Sequence, residues 1–371
     1  MLRKHFKIAL RNLWRHKAFS AINIFGLSIG IATCLVIMLV VQHEFSYDRY
    51  NEKANRIVRV VFKASLFGKN INMPQVAAPA AQVLKAEFPE IQEAARLRLG
   101  APPFVTYEGK TYKEAPFAFV DSNFFQVFTI SFLKGNPKTA LNQPNTIVIS
   151  QAIAHKYFGK EDPMGKVLTL KRFHASYKVT GVIEKVPSNS HFHFDFFPSL
   201  ATLSDAKEQY WLNTNYHTYL VLPQDYNYKR LEAKMPRVVD KYMAPQLTKF
   251  VGSSMAEFRK KGNDISLWLQ PLTDIHLNSA ELSEDLEPSG DGRYIYILVA
   301  IALFTLLIAC INFMESFYRR GFQASHRSGH PQSARLGESR TGPPIPARIP
   351  AINNFCFDIG TGIGQRRFTS I

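Results

Sequence analysis

The stretch Ser190-His191-Phe192-His193-Phe194-Asp195 sets two imidazoles and a carboxylate at alternate positions. On an extended strand this spacing puts His191, His193 and Asp195 on one face, and such donors suit zinc. A flat row at i, i+2 and i+4 splays its ligands, however, and the sequence offers no fourth one. The stretch is therefore read as a structural strand end, and no metal ligand is nominated. Gly159-Lys160-Glu161-Asp162-Pro163-Met164-Gly165-Lys166-Val167 superficially resembles a phosphate-binding loop. Its glycine spacing is one residue too long, and neither Ser nor Thr follows the lysine, so it is read as a turn between a helix and a strand.

No nucleophile signature is read from the sequence: the Gly-x-Ser-x-Gly spacing occurs only at Gly26–Gly30, inside an uncharged apolar run, the bare Ser-x-x-Lys spacing occurs at Ser131–Lys134 and Ser204–Lys207, and there is no His-Glu-x-x-His. Carboxylates are plentiful, but spacing alone picks out no acid-base pair. No catalytic residue and no cofactor site is nominated, and the chain is not read as an enzyme. Any ATP hydrolysis must come from another chain.

The elements that carry these residues define the class. The mean hydropathy of -0.11 describes an ordinary soluble composition, but the apolar residues are concentrated in two runs. Residues 18–42 and 294–314 contain no Asp, Glu, Lys or Arg, and each is long enough to cross a bilayer, which takes about 20 apolar residues. The first run exceeds the hydrophobic stretch of a cleaved signal peptide and leads into His43-Glu44-Phe45-Ser46-Tyr47-Asp48, so it is read as a retained anchor. Gly26, Gly30 and Ala32 offer small residues for close helix packing.

Ahead of this run, Arg3, Lys4, Lys7, Arg11, Arg15 and Lys17 stand without an acidic residue, the mark of a cytoplasmic flank. Residues 1–17 also place Leu2, Phe6, Leu10, Leu13 and Trp14 near one side of a helix, predicting an amphipathic helix on the inner membrane surface. Residues 43–293 then lie outside, and the chain after Met314 returns inside. The net charge of +16 could suggest nucleic acid. Its heaviest surplus lies at the two cytoplasmic flanks, where anionic lipid accounts for it, and no aromatic-basic motif for base stacking accompanies it; nucleic acid is excluded as a partner. Cys34 and Cys310 fall in the two runs and Cys356 near the end, so the outer region has no disulfide framework.

Within the outer region, strands are predicted at 56–63, 146–150, 177–183, 218–222 and 265–269, with helices at 76–88, 151–158 and 229–243. This order lacks a long regular β/α alternation. It predicts an α+β fold: two transmembrane helices flanking a large two-lobed mixed α/β domain.

Several stretches, taken together, resemble the MacB/FtsX-like ABC transporter permease family. They are Phe6-Lys7-Ile8-Ala9-Leu10-Arg11-Asn12-Leu13-Trp14-Arg15-His16-Lys17, Asn23-Ile24-Phe25-Gly26-Leu27-Ser28-Ile29-Gly30 and Glu44-Phe45-Ser46-Tyr47-Asp48. The outer region adds Tyr157 through Lys166, Gly181-Val182-Ile183 and Pro187 through Asp195, and the second run adds Leu307 through Met314. Their order covers residues 1–314. The resemblance implies a MacB-like periplasmic core domain at 43–293 and a bacterial inner-membrane location with a cytoplasmic N-terminus. It also implies a permease working as a dimer with a separate ABC ATPase subunit, for export of antimicrobials, peptides or lipoproteins. A two-span sensor would need a cytoplasmic output module, and the tail has no kinase, cyclase or methyl-accepting pattern. The other alternative is an inactive, truncated permease fragment.

Residues 315–371 carry that alternative. Lysine vanishes after Met314 while arginine, glycine, serine and proline abound. The family follows its second span with Asn-Leu-Ser-Thr-Ala and later carries Gly-Ile-Arg-Lys. Codons permitted for Glu315 to Arg319 and for Gly329 to Ser333, read one base later, spell both motifs. At the same offset, permitted codons for Ile359 to Gly364 give Leu-Ala-Leu-Ala-Leu. The segment is therefore expected to be a frameshifted, disordered tail. Sequencing the gene checks this: the shifted frame should encode two further apolar spans, and a shifted frame without them defeats the reading.

Overall fold

The computed structural model describes residues 17–171 and 175–327. The helix expected over residues 1–17, apart from Lys17, and the tail beyond Arg327 lie outside the described residues.

Alternation along the first strand sets the architecture. In β1 (Ile57–Leu66), Val58, Val60, Phe62 and Ala64 point into one core, while Ile57 points into another on the opposite face. A strand with both faces buried belongs in the middle of a sheet. β1 is accordingly paired antiparallel on both sides, with β13 (Thr214–Val221) and β14 (Asp264–Pro271). β4 (Glu93–Gly100) and β7 (Phe117–Val120) extend the sheet in the order β14-β1-β13-β4-β7, and β2 (Lys69–Met73) and β3 (Val76–Ala77) add to β1 and β13.

The second sheet takes the order β12-β9-β11-β10-β5-β6, with β8 on β11. Its strands are β5 (Phe104–Tyr107), β6 (Lys110–Lys113), β8 (Phe132–Gly135), β9 (Thr146–Ser150), β10 (Val167–Leu170), β11 (Ala175–Ile183) and β12 (Phe196–Pro198). β9 and β11 run parallel, and the helix Gln151–Phe158 starts directly after β9. That helix is capped by Ser150, whose side chain accepts from the Ile153 N–H, and closed by Gly159 at φ +60°. A bridge between Val120 and Ser199 joins the two sheets at their edges. These are the two lobes of the expected mixed α/β domain.

Helices cover one face of the first sheet, where Leu84, Leu231, Met235, Val238, Met243, Leu247 and Phe258 pack on the even-numbered residues of β1. Aromatic rings fill the other face. Phe124 lies 4.7 Å from Phe128 and 5.9 Å from Phe197 between centroids, and Phe128 meets Phe192 edge-on at 5.4 Å.

Two helix expectations need correction. The helix predicted over 76–88 is confined to Ala80–Glu87, because Pro79 supplies no N–H and disfavours helical backbone at Ala78, leaving Val76 and Ala77 to pair as β3. The helix predicted over 229–243 is broken. It begins as Tyr228–Glu232, restarts at Met235–Val238 with Pro236 in its first turn, and passes through a π-type turn, Val239–Met243, into Ala244–Val251.

The apolar runs form the helices Lys17–Phe45 and Gly292–Arg327. Their stretches Ser20–Phe45 and Gly292–Met314 are long and apolar enough to cross a membrane, and they are almost wholly unburied by the protein. The second helix continues past Met314, so residues 315–327 of the tail expected to be disordered are helical. The two helices touch: a Cβ on Gly30 would sit 2.8 Å from that of Ala309, and the Cys34 thiol donates to the Ala302 carbonyl at 3.2 Å. Gly26 and Gly30, which face Asn312 and Ala309, therefore serve close approach, whereas Ala32 is exposed.

Candidate functional site

The chemistry-bearing residues singled out in the sequence do not converge. Residues 190–195 precede β12 and are not themselves a strand. His191 bonds to Asp48, His193 to Glu287, and Asp195 accepts from the Ser150 hydroxyl. Among the described residues no group of three His, Cys, Asp or Glu could hold a metal. The loop lookalike is the turn between the helix Gln151–Phe158 and β10, where Lys166 pairs with Glu161 and Lys134 with Asp162, leaving no open phosphate cradle.

What converges lies on the odd-numbered face of β1, at the junction with both apolar helices. The first helix ends at Phe45 and passes into a tight turn. Asp48 adopts φ +58°, a region uncommon for residues other than glycine, and is fully buried. Its backbone N–H donates to the Asn189 carbonyl at 2.7 Å, while the Asn189 amide donates to the Ser46 carbonyl at 2.9 Å and hydroxyl at 3.1 Å. The Asp48 carboxylate faces His191 Nδ1 at 2.8 Å, and His191 Nε2 faces the Tyr219 hydroxyl at 2.8 Å. A carboxylate only accepts, so the Nδ1–H donates to Asp48. Burial holds the Tyr219 hydroxyl well above its ordinary pKa. Asp48, His191 and Tyr219 thus form a hydrogen-bonded chain from the first helix to the centre of the sheet.

The second helix is held from the same face. Arg59, fully buried on β1, grips Asp285 through two bonds, Nη1 to Oδ1 at 2.6 Å and Nη2 to Oδ2 at 3.0 Å. Its Nη2 also donates to Gln270 Oε1 at 2.8 Å and Ser279 Oγ at 3.1 Å. These contacts fasten the segment between β14 and Gly292 onto the sheet. Burial pushes the Asp285 carboxyl upward, but the charge and hydrogen bonds of Arg59 outweigh it and hold the group below its ordinary value. His217, wholly buried nearby, is pushed down to about 3 by burial and then by the Arg59 charge, so it is neutral.

A third set of contacts joins the two helix roots. His276 Nε2 lies 2.8 Å from Glu44 Oε2, and the His276 ring stacks on Tyr47 at 3.4 Å. Gly290 closes the arrangement: a Cβ there would come within 3.2 Å of both the Glu44 carboxylate and the His276 ring. His193 bridges the Glu287 carboxylate at 2.7 Å and the Pro187 carbonyl at 2.9 Å. Arg59 carries a partial signal in the sequence, a cation set between Val58 and Val60 in a β-branched run. Asp285, Glu287 and His276 carry no such signal.

This arrangement is a set of structural anchors. It ties a two-sheet domain to a pair of membrane-length helices. The chain belongs to the MacB-like periplasmic core domain family, whose model matches residues 20–238. It is 25% identical over 205 residues to the uncharacterized ABC transporter permease YvrN of Bacillus subtilis (strain 168), covering 52% of this chain and 50% of that one. The chain thus spans about half the length of this curated relative. Among solved structures, a domain of a permease-type protein from Porphyromonas gingivalis aligns with TM-score 0.50 and 22% identity over 60% of this chain and 91% of that one. The periplasmic region of MacB from Actinobacillus actinomycetemcomitans aligns with TM-score 0.38 and 15% identity over 60% and 91%.

Two outcomes follow from the anchors. Arg59→Met leaves Asp285 buried without its partner and should cost about 3–5 kcal/mol, while Arg59→Met combined with Asp285→Leu should recover most of that loss. Urea unfolding of the purified chain, followed by tryptophan emission, measures both. Asp285 and His217 each hold fewer protons folded than unfolded, so acidification destabilises the domain. The His217 contribution is lost progressively as pH falls from 6.5 toward 3. His217→Gln should flatten the fall in unfolding midpoint across that window, leaving the Asp285 contribution at its acid end.

Proposed function

We propose that this chain is the membrane-spanning subunit of a MacB-type ABC transporter and acts as a mechanical transmitter. In this reading the N-terminus is cytoplasmic, the two-sheet domain is periplasmic, and a separate ATPase subunit docks on the inner side of a bacterial inner membrane. The domain boundaries are those expected above, with spans at 18–42 and 294–314 around the domain at 43–293. The assembly is a dimer, and nucleotide-driven closure of the ATPase moves the spans and, through them, the domain. Export of antimicrobials, peptides or lipoproteins is the activity this would serve.

One observation carries the reading. Both helix roots are fastened to the same sheet face by buried polar contacts, Asp48 to His191 and Arg59 to Asp285. A tilt of either helix is therefore imposed on the sheet instead of being absorbed by a hinge. The basic flank before the first span supports the orientation. The failed phosphate loop supports an ATPase on another chain.

Reporter fusions at Gly100 and at the N-terminus should report opposite compartments; the same compartment for both rejects the topology. In vesicles containing the chain and its ATPase, Asn189→Ala releases the Ser46 turn. It should lower coupling of ATP hydrolysis to transport on the order of tenfold without changing the amount of ATPase bound. Unchanged coupling defeats the transmitter reading.

A further inference from the structure

A groove of about 440 Å³ opens beside the helix roots. Its lower wall is apolar and is made by Phe45 at the end of the first helix and by Ile295 and Tyr296 in the first turns of the second. Its upper wall is polar. Lys63 stands 3.7 Å above the Trp268 ring, and Glu281 and the Arg293–Asp291 pair, joined at 2.6 Å, complete the rim. The Trp268 indole N–H is buried and has no hydrogen-bond partner among the described residues. No site assigned above uses any of these side chains.

The groove lies where both apolar helices meet the domain. Phe45 closes one membrane-length stretch and Gly292 opens the other, so in a bilayer this is the headgroup level. Tyr294 and Tyr296 are exposed there, as interfacial aromatics are. A concavity at that depth, apolar toward the acyl chains and charged above them, matches an amphiphile. The charges select among amphiphiles. Lys63 and Arg293 are balanced by Glu281 and Asp291, so the rim has no net charge to favour an anionic headgroup. It offers cations to a phosphate and carboxylates to an ammonium.

We propose that this groove binds a zwitterionic glycerophospholipid of the outer leaflet, with a phosphate and a primary ammonium in its headgroup. The phosphate is received by Lys63, the ammonium by Glu281, and an acyl chain lies along Phe45 and Tyr296. The bound lipid wedges the two-sheet domain against its membrane helices. The inference rests on the membrane placement proposed above but needs neither an ATPase nor transport.

The test uses the full chain reconstituted without ATPase into vesicles of phosphatidylethanolamine and phosphatidylglycerol, with brominated acyl chains placed on one lipid or the other. The Trp268 emission is isolated by subtracting that of Trp268→Phe. Brominated phosphatidylethanolamine should quench it about two- to fivefold more effectively than brominated phosphatidylglycerol at equal mole fraction, the scale of one exposed charge pair. Glu281→Lys, at an exposed position, should abolish or reverse the preference. Equal quenching by the two lipids in the parent chain, or an unchanged preference in Glu281→Lys, overturns the proposal. The Gly100 fusion tests membrane placement separately, so failure of the placement and failure of the lipid site are distinguishable.

Discussion

A guanidinium with no exposed surface, placed on the central strand of a sheet, obliges the rest of the junction to organise around it. An unpaired buried charge costs several kcal/mol, so Arg59 is tolerated only where a carboxylate and further acceptors surround it. Asp285, Gln270 and Ser279 meet that demand at the guanidinium's two terminal nitrogens. Two of them lie on the segment that runs to the second apolar helix. The requirement to neutralise one strand residue therefore fixes where that helix starts.

The first helix is held by different chemistry with the same result. The left-handed turn at Asp48 brings a buried carboxylate against His191, and the imidazole passes the contact on to Tyr219, in the same strand as His217. β13 pairs directly with β1, so the two anchors are neighbours within one sheet. Contacts between the roots, Glu44 to His276 and Tyr47 over His276, add a shorter path outside the sheet. Gly290 permits it by leaving space that a side chain would fill. The junction is thus held from several directions.

Much of the fold was legible in the residues. Uncharged runs of membrane length identify themselves, and strands such as β1, β9 and β11 are marked by β-branched and aromatic runs. The helix errors share one cause. Pro79 and Pro236 sit in first-turn or capping positions, where proline starts a helix, and the periodic pattern around them was read as continuous. The junction was far less legible. Arg59 and Asp285 are 226 residues apart, Asp48 and His191 are 143 apart, and no local spacing links such pairs. The alternation of His191, His193 and Asp195 points to a strand end, whereas irregular backbone sends each histidine to its own carboxylate.

The strand order carries a consequence for biogenesis. β1 follows the first apolar helix almost at once, yet its partners β13 and β14 are separated from it by nearly the whole domain. During synthesis β1 can pair only with β2, its hairpin neighbour, so Val58, Val60 and Val61 emerge without the strands and helices that will cover them. The second sheet, whose strands all lie between β4 and β13, can close first. Sheets completed by such distant pairings fold slowly and leave apolar edges open for longer. The first lobe therefore keeps apolar surface uncovered until β14 has been made.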